Sequence, residues 1–176
     1  MNHHVYRSGP IALAVHRPTI TALYAYADTL RPAGRPGRTT ALFCSPTLLG
    51  ASRWLRANLL CAEHGADVSV RDLAVSPDPS IYAYPVTAWD RASHGLSTEA
   101  DMRAFWAAGV PLAAWFTRAA TEGLDAREWE VLVPLSAVAG VRPVADERVV
   151  ASIPADDWTR AALTHDLWLA HHTGRR

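Results

Sequence analysis

Strand-like and helix-like segments follow one another along this chain in irregular order, which constrains its fold class more than any other feature. Apolar runs of strand length occupy residues 5–7, 11–15, 40–44, 67–75, 81–84, 130–134 and 148–153. Helix-like segments occupy residues 18–30, 45–63, 98–108, 111–120 and about 155–172. A doubly wound parallel sheet needs regular alternation of strand and helix, so the sequence predicts an α+β fold instead.

Residues typical of helix ends support several of these limits. Ser97 or Thr98 can cap the helix that ends near residue 108, and Asp156 or Asp157 can cap the C-terminal helix. Gly65 is expected to end the helix that begins near residue 45, because glycine adopts the left-handed conformation found there. These positions predict separate short helices rather than one long one.

The length of 176 residues predicts one domain, residues 1–176, with its own hydrophobic core. No stretch reaches about 18 consecutive apolar residues, which a membrane span would need. The N-terminus lacks a basic region followed by an apolar stretch, so we expect no signal peptide. Two cysteines, Cys44 and Cys61, are too few for a disulfide framework, which favours the reducing cytoplasm.

Charge is distributed unevenly although the formal net charge is +0. Residues 1–60 hold seven arginines and one acidic residue, whereas residues 61–176 hold ten arginines and sixteen acidic residues. An electropositive N-terminal third would suit a phosphate-bearing ligand. The alternative interpretation is that most of these arginines are solvated on the surface. The chain contains no lysine, which excludes a Gly-Lys-Ser/Thr phosphate loop.

The signatures of three further common site types are missing or incomplete in this sequence. The chain has no Gly-x-Gly-x-x-Gly dinucleotide loop and no Gly-x-Ser-x-Gly nucleophile elbow. Cys61 and His64 stand three residues apart in a predicted helix, but a metal site needs more ligands than these two. We therefore expect no metal site.

Three separated motifs remain as candidates for a functional site. Tyr6-Arg7-Ser8-Gly9 places an arginine at the end of a short strand, before a turn. Phe43-Cys44-Ser45-Pro46-Thr47 places two hydroxyls where a strand leads into a helix, and free backbone N–H groups at such a junction favour an anion. Simple helix capping by Ser45 and Thr47 is the alternative interpretation.

The third motif is an acidic pair, Glu128 and Glu130, at the start of an apolar strand. Residues two apart on a strand point to the same face, and like charges side by side repel each other. Stability alone does not require such a pair, which suggests a function for it. A solvated strand edge, with Arg127 neutralising one carboxylate, is the alternative.

Taken together, the three motifs resemble the Arg-Ser-Glu class of mono-ADP-ribosyltransferases. Arg7 is similar to the arginine on the first strand of that family, and residues 43–47 resemble its aromatic-x-Ser-Thr-Ser element, with Pro46 and Thr47 as departures. The run Glu128-Trp129-Glu130-Val131-Leu132-Val133-Pro134 is similar to the Glu-x-Glu strand of the arginine-modifying members. The resemblance spans about residues 5–144.

The resemblance implies a fold, a reaction and a role for each matching residue. The fold would be a split pair of small antiparallel or mixed β-sheets that form an NAD cleft, flanked by helices. NAD would be the co-substrate: Glu130 would stabilise the positive charge on the ribose and Glu128 would orient or deprotonate the acceptor. The remaining matches would bind NAD. Arg7 would hold the pyrophosphate or the ribose, and Ser45 would fix the nicotinamide ribose or Glu130. Thr47 and Tyr6 would support them.

Two alternatives stay open beside the transferase. The first is an NAD glycohydrolase toxin on the same fold, in which water replaces the acceptor, and an antitoxin or immunity protein would then be a further partner. The second is a non-catalytic partner-binding domain, for which seven tryptophans and the amphipathic C-terminal helix would supply an interface. The acceptor, whether protein, nucleic acid or small molecule, does not follow from the motifs, and neither does a role for the helical region 97–120.

Overall fold

The fold is that of a computed structural model, which describes residues 2–11, 18–61, 67–93 and 98–174. Seven strands lie in these ranges: β1 (His3–Ser8), β2 (Ala41–Cys44), β3 (Val70–Val75), β4 (Tyr82–Pro85), β5 (Val110–Pro111), β6 (Trp129–Pro134) and β7 (Val138–Val144). Seven α-helices accompany them: α1 (Pro18–Thr29), α2 (Leu48–Cys61), α3 (Val86–Ser93), α4 (Glu99–Ala107), α5 (Leu112–Glu122), α6 (Asp146–Ala151) and α7 (Trp158–Thr173). Two one-turn 3₁₀ helices, Ala126–Glu128 and Leu135–Ala137, flank β6.

The strands form two small antiparallel sheets. The first has the order β1-β3-β7, and the second has the order β2-β6-β4-β5. Every pairing in both sheets is antiparallel. The α+β class that the sequence predicts is therefore confirmed.

Three groups of buried side chains hold the layers together. One joins the two sheets and α5, and it includes Val5, Leu73, Trp115 and Val131. A second packs α2, α6 and α7 against the first sheet, and a third packs α1, α3 and α4 against the second sheet around Tyr84. Burial of apolar area on this scale is the main driving force for folding.

Most of the predicted elements are confirmed with small shifts at their ends. The side chain of Thr98 accepts a hydrogen bond from the backbone N–H of Asp101, and the Asp101 carboxylate accepts one from the Thr98 N–H, which forms a capping box at α4. Asp157 caps α7 in a similar way, through the backbone N–H of Thr159. The predicted cap Gly65 and all but the first residue of the predicted strand 11–15 lie outside the described residues.

The predicted strand at residues 148–153 is wrong. Residues 148–151 belong to α6, where Asp146 and Glu147 occupy the first turn and Val149 is buried against α7. Acidic residues stabilise the N-terminus of a helix, and here they outweigh the strand preference of two adjacent valines. The strand that precedes this segment is β7. It is not predicted from the sequence, because Gly140 and Pro143 are unfavourable in strands. Proline is tolerated there because β7 is an edge strand.

The sequence also does not predict α3. Its eight residues follow Pro85 directly, and a helix this short draws little stability from intrinsic propensity. Burial of Ala88 and Ala92 in the third core group holds it instead, and Val86 is also buried. Among the described residues, no helix is both long and apolar enough to cross a bilayer.

Replacing Gly50 with Ala is expected to destabilise the protein by about 1–3 kcal/mol, the usual cost of overpacking. A Cβ on Gly50 would stand 2.6 Å from the carbonyl oxygen of Ala126 and 3.1 Å from the Cβ of Ser45. The first contact is with backbone, so it cannot be relieved by a rotamer change. Urea unfolding measures the effect, with Gly140→Ala as the control, because a Cβ there meets only the Cβ of Ala74 at 3.8 Å. Equal unfolding midpoints for the two variants would contradict this prediction.

Candidate functional site

The two sheets meet where β1 passes the end of β2. The backbone N–H of Tyr6 donates to the carbonyl of Ser45 at 2.8 Å, and the N–H of Ser45 donates to the carbonyl of Tyr6 at 2.7 Å. This short antiparallel bridge joins the first sheet to the second. It brings the Tyr6-Arg7 motif beside the Ser45 motif, although about 38 residues separate the two in the sequence.

A cavity of about 470 Å³ lies next to this junction. Ligand-binding cavities in proteins usually have volumes of about 300–1,000 Å³. The lining residues come from both sheets, from α1, α2 and α3, and from the loop before β2: Tyr6, Arg7, Ser8, Tyr24, Arg38, Phe43, Cys44, Trp54, Asn58, Val86, Trp89, Asp90, Ser93 and Glu130. The cavity thus combines aromatic walls with two arginines and two carboxylates.

Glu130 is a buried carboxylate in the wall of this cavity. It stands on β6, paired with Tyr84 of β4, and only 3% of its surface is exposed. Its partner is Arg38, which is also 3% exposed. Nη1 of Arg38 donates to Oε1 of Glu130 in a close contact, and Nη2 lies 3.4 Å from Oε2. A buried carboxylate needs such a partner, because an unpaired charge in the interior is very costly.

The guanidinium of Arg38 is surrounded by aromatic rings. Its central carbon lies 3.6 Å from the ring centre of Trp89, 4.8 Å from those of Tyr24 and Phe43, and 5.1 Å from that of Phe105. These distances are typical of cation–π contacts. Three of the rings, those of Trp89, Tyr24 and Phe43, also line the cavity.

Arg7 lies on the opposite sheet and reaches the same cavity. Its Nε donates to the carbonyl of Pro10 at 2.6 Å, and its Nη1 donates to the carbonyl of Phe43 at 2.9 Å. Burial lowers the pKa of the Arg7 guanidinium, since a low-dielectric surrounding disfavours the charged form. The side chain therefore places a largely buried cation in the cavity wall and holds β1 against β2.

Ser45 lies beside the cavity rather than in its lining. The ladder between β2 and β6 ends at the pair of Cys44 and Val131, one residue before Ser45 and one residue after Glu130. The Oγ of Ser45 is buried and has no hydrogen-bond partner among the residues that the structure describes. An unsatisfied buried hydroxyl is costly, so this atom would gain stability from a hydrogen-bond partner, although Ser45 itself does not line the cavity. Burial raises the pKa of the adjacent Cys44 thiol to about 12, so this thiol stays protonated at neutral pH.

Thr47 and Glu128 lie away from this cavity. The Oγ1 of Thr47 accepts a hydrogen bond from the backbone N–H of Gly50 at 3.1 Å and so caps α2. Thr47 instead lines a shallower depression of about 380 Å³, together with Tyr6 and Phe116. Glu128 is exposed and ends the first 3₁₀ helix.

The prediction that Glu128 and Glu130 share one strand face is wrong, because β6 begins only at Trp129. Arg127 does not neutralise either residue in the described contacts. It forms ion pairs with Asp125 at 2.8 Å and with Asp157 at 2.5 Å. The two acidic residues of the motif therefore have different surroundings, one solvated and one buried.

Several residues of the cavity are not predicted from the sequence. The most important is Arg38, which lies in a loop whose proline and glycine content only indicates an irregular segment. The sequence offers one signal for Arg38: a charged residue that follows a glycine shortly before a buried strand. Trp89 and Asp90 reach the cavity on α3, a helix that the sequence does not predict. Trp54 and Asn58 reach it on α2, four residues apart on one helix face.

No group of three metal-ligating side chains occurs in the described residues, and the side chains of Cys61 and His64 lie outside them. Comparison with protein-family models, with curated proteins and with solved structures finds no match to this chain.

Proposed function

We propose that this protein cleaves the nicotinamide–ribose bond of NAD and transfers the ADP-ribose group to an acceptor. The observation that carries the proposal is the joint presence of Arg7 and Glu130 in one cavity between two small antiparallel sheets. These residues are separated by more than a hundred positions in the sequence. The arrangement supports the split-sheet fold and the NAD cleft that the resemblance to mono-ADP-ribosyltransferases implies.

The chemistry of the cavity suits this reaction. When the C–N glycosidic bond breaks, its electron pair leaves with nicotinamide, and positive charge develops on the ribose. A preorganised carboxylate stabilises that charge, as in glycoside hydrolysis, and Glu130 is the buried carboxylate that would do so. The acceptor then forms the new bond to the same ribose carbon, and its proton passes to a base or to solvent.

The remaining predicted residues have roles consistent with their positions. The Arg7 guanidinium would face the diphosphate or the ribose, because its planar donors suit phosphate oxygens. The unpartnered hydroxyl of Ser45 would bond to a ribose hydroxyl or to Glu130. Tyr6 lines the cavity beside Arg7, whereas Thr47 would act only through the α2 cap.

The proposal is tested by incubating the protein with NAD and following nicotinamide release by chromatography. We expect release by the wild-type chain, and we expect calorimetry to detect NAD binding. If neither binding nor release occurs, the non-catalytic partner-binding alternative replaces this proposal.

NAD hydrolysis by the same site is the second candidate function, and the position of Glu128 favours it. Glu128 is exposed and does not line the cavity, so the residue expected to orient the acceptor is absent from the described cavity wall. Water would then receive the ADP-ribose.

The variant Glu128→Gln distinguishes the two activities. With NAD labelled in the adenosine part and a mixture of protein and nucleic acid as acceptor, a transferase that uses Glu128 should lose label incorporation. Its nicotinamide release should persist, because cleavage depends on Glu130. Free ADP-ribose as the sole labelled product of both the wild type and the variant would establish hydrolysis instead. Mass spectrometry of the acceptor fraction provides the readout.

A further inference from the structure

The buried pair of Arg38 and Glu130 is asymmetric. Nη1 of Arg38 makes a close contact with Oε1 of Glu130, whereas Nη2 lies 3.4 Å from Oε2, near the outer limit of a hydrogen bond. One carboxylate oxygen is therefore firmly held, and the other is only weakly engaged. Glu130 lines the cavity, and its weakly engaged oxygen has the greater capacity left to accept a hydrogen bond from a ligand.

Aromatic packing limits the freedom of the Arg38 side chain. The guanidinium lies 3.6 Å from the ring centre of Trp89, and the rings of Tyr24 and Phe43 each lie 4.8 Å away. Contacts with the faces of rings leave the N–H edge of the guanidinium free to point at the carboxylate. The rings thus hold the cation at the depth in the cavity where Glu130 needs a partner.

The main chain at Arg38 is anchored to the end of α1. Its backbone N–H donates to Oδ1 of Asp28 at 2.7 Å, and both the N–H and the hydroxyl of Thr39 donate to Oδ2 of the same carboxylate, at 3.0 and 2.6 Å. A Cβ at Gly37 would stand 2.6 Å from Oδ2 of that carboxylate, so a larger residue there would displace the carboxylate from its present position. The loop end is therefore fixed at both its main chain and its side chain.

We propose that Arg38 is a positioning residue for Glu130: it holds the carboxylate through Oε1 and leaves Oε2 for the ribose of the substrate. This inference rests on the proposed function. A carboxylate that is already oriented needs no reorganisation as charge develops on the ribose, which is the main source of electrostatic catalysis. Supporting contacts of this kind hold functional groups near their productive geometry.

The test compares steady-state NAD cleavage by Arg38→Gln and Arg38→Lys with that of the wild type. We expect Arg38→Gln to lower kcat about 10- to 100-fold, the loss typical when an outer partner of a functional side chain is removed. KM for NAD should change little, because Arg38 acts on Glu130 and not on the ligand. Arg38→Lys should be intermediate, since lysine keeps the charge but lacks the planar two-point contact. Rates are expressed per folded molecule, from circular dichroism of each sample.

Arg103→Gln is the matched control, because Arg103 forms an exposed helical ion pair with Glu99 at 2.7 Å. It should turn over NAD like the wild type. Three results would overturn the inference: a wild-type kcat for Arg38→Gln, a raised KM with unchanged kcat, which would make Arg38 a ligand-binding residue, or a raised kcat, which would make it an obstruction to Glu130.

A second variant covers the case in which Arg38→Gln does not fold. Asp28→Asn keeps the side-chain shape but weakens the anchor of the Arg38 main chain, and we expect a smaller fall in kcat in the same direction. If the wild type releases no nicotinamide, the proposed function fails. If the wild type is active and Glu130→Gln is not, while Arg38→Gln or Asp28→Asn has wild-type kcat, only the role of Arg38 fails.

Discussion

Glu130→Gln is expected to abolish nicotinamide release from NAD in a protein that still folds. Glutamine has almost the same shape as glutamate, and its side-chain oxygen can still accept a hydrogen bond from Arg38. It carries no negative charge, so the positive charge that develops on the ribose loses its stabilising partner. Deleting one such electrostatic contributor commonly costs about 10²-fold or more in kcat. Nicotinamide release, measured per folded molecule, checks this prediction.

The control for this variant is Glu99→Gln, the same change at an exposed helix position. It should release nicotinamide at the wild-type rate. Near-wild-type release by Glu130→Gln would remove Glu130 from the proposed mechanism. It would leave the cavity without the group that the resemblance to ADP-ribosyltransferases makes essential.

Arg38→Met is expected to cause the largest loss of stability among the variants considered. Both side chains of the Arg38–Glu130 pair are almost fully buried, at 2% and 4% exposure. Removing the cation leaves a carboxylate in the interior without compensation, and breaking a buried pair in this way typically costs about 3–5 kcal/mol. Methionine fills similar space with no charge, so the loss reports on electrostatics more than on packing. Urea unfolding followed by circular dichroism provides the measurement.

Two further variants serve as controls for this loss of stability. One breaks an exposed ion pair, and the other removes both buried charges. Arg103→Met breaks the exposed Arg103–Glu99 pair, whose side chains are 60% and 58% exposed, and should cost no more than about 1 kcal/mol. The double variant Arg38→Met, Glu130→Gln should regain part of the loss, because no unpaired charge then stays buried. If Arg38→Met is no more destabilising than Arg103→Met, the buried pair does not contribute as the structure indicates.

Several elements were predictable because their signals are local. The caps at Thr98 and Asp157 depend on residues within three positions of each other, and each is one of the two positions that the sequence predicts for its helix. The apolar run of β6 is likewise recognisable by itself, because its central residues are buried on both faces. The strand predicted at residues 148–153 was wrong because its valines pack in a helix whose first turn is acidic.

The candidate site likewise combines residues that the sequence indicates with positions that only the fold decides. Arg7, Ser45 and Glu130 were proposed from motifs that resemble those of mono-ADP-ribosyltransferases. In the structure, Arg7 and Glu130 line one cavity, and Ser45 pairs with Tyr6 beside it. Glu128, two positions from Glu130, had the same local signal, yet it lies exposed on a 3₁₀ helix. The sequence does not indicate that β6 begins between Glu128 and Glu130.

The sequence by itself determined the α+β class and the main helix limits, because these depend on local periodicity and capping. Only the tertiary structure decided which carboxylate is buried and what neutralises it. Arg38 and Glu130 are 92 positions apart, and their contact depends on how a loop, two sheets and α3 pack together. No local pattern encodes such a contact, since its energy arises only when folding removes both charges from water.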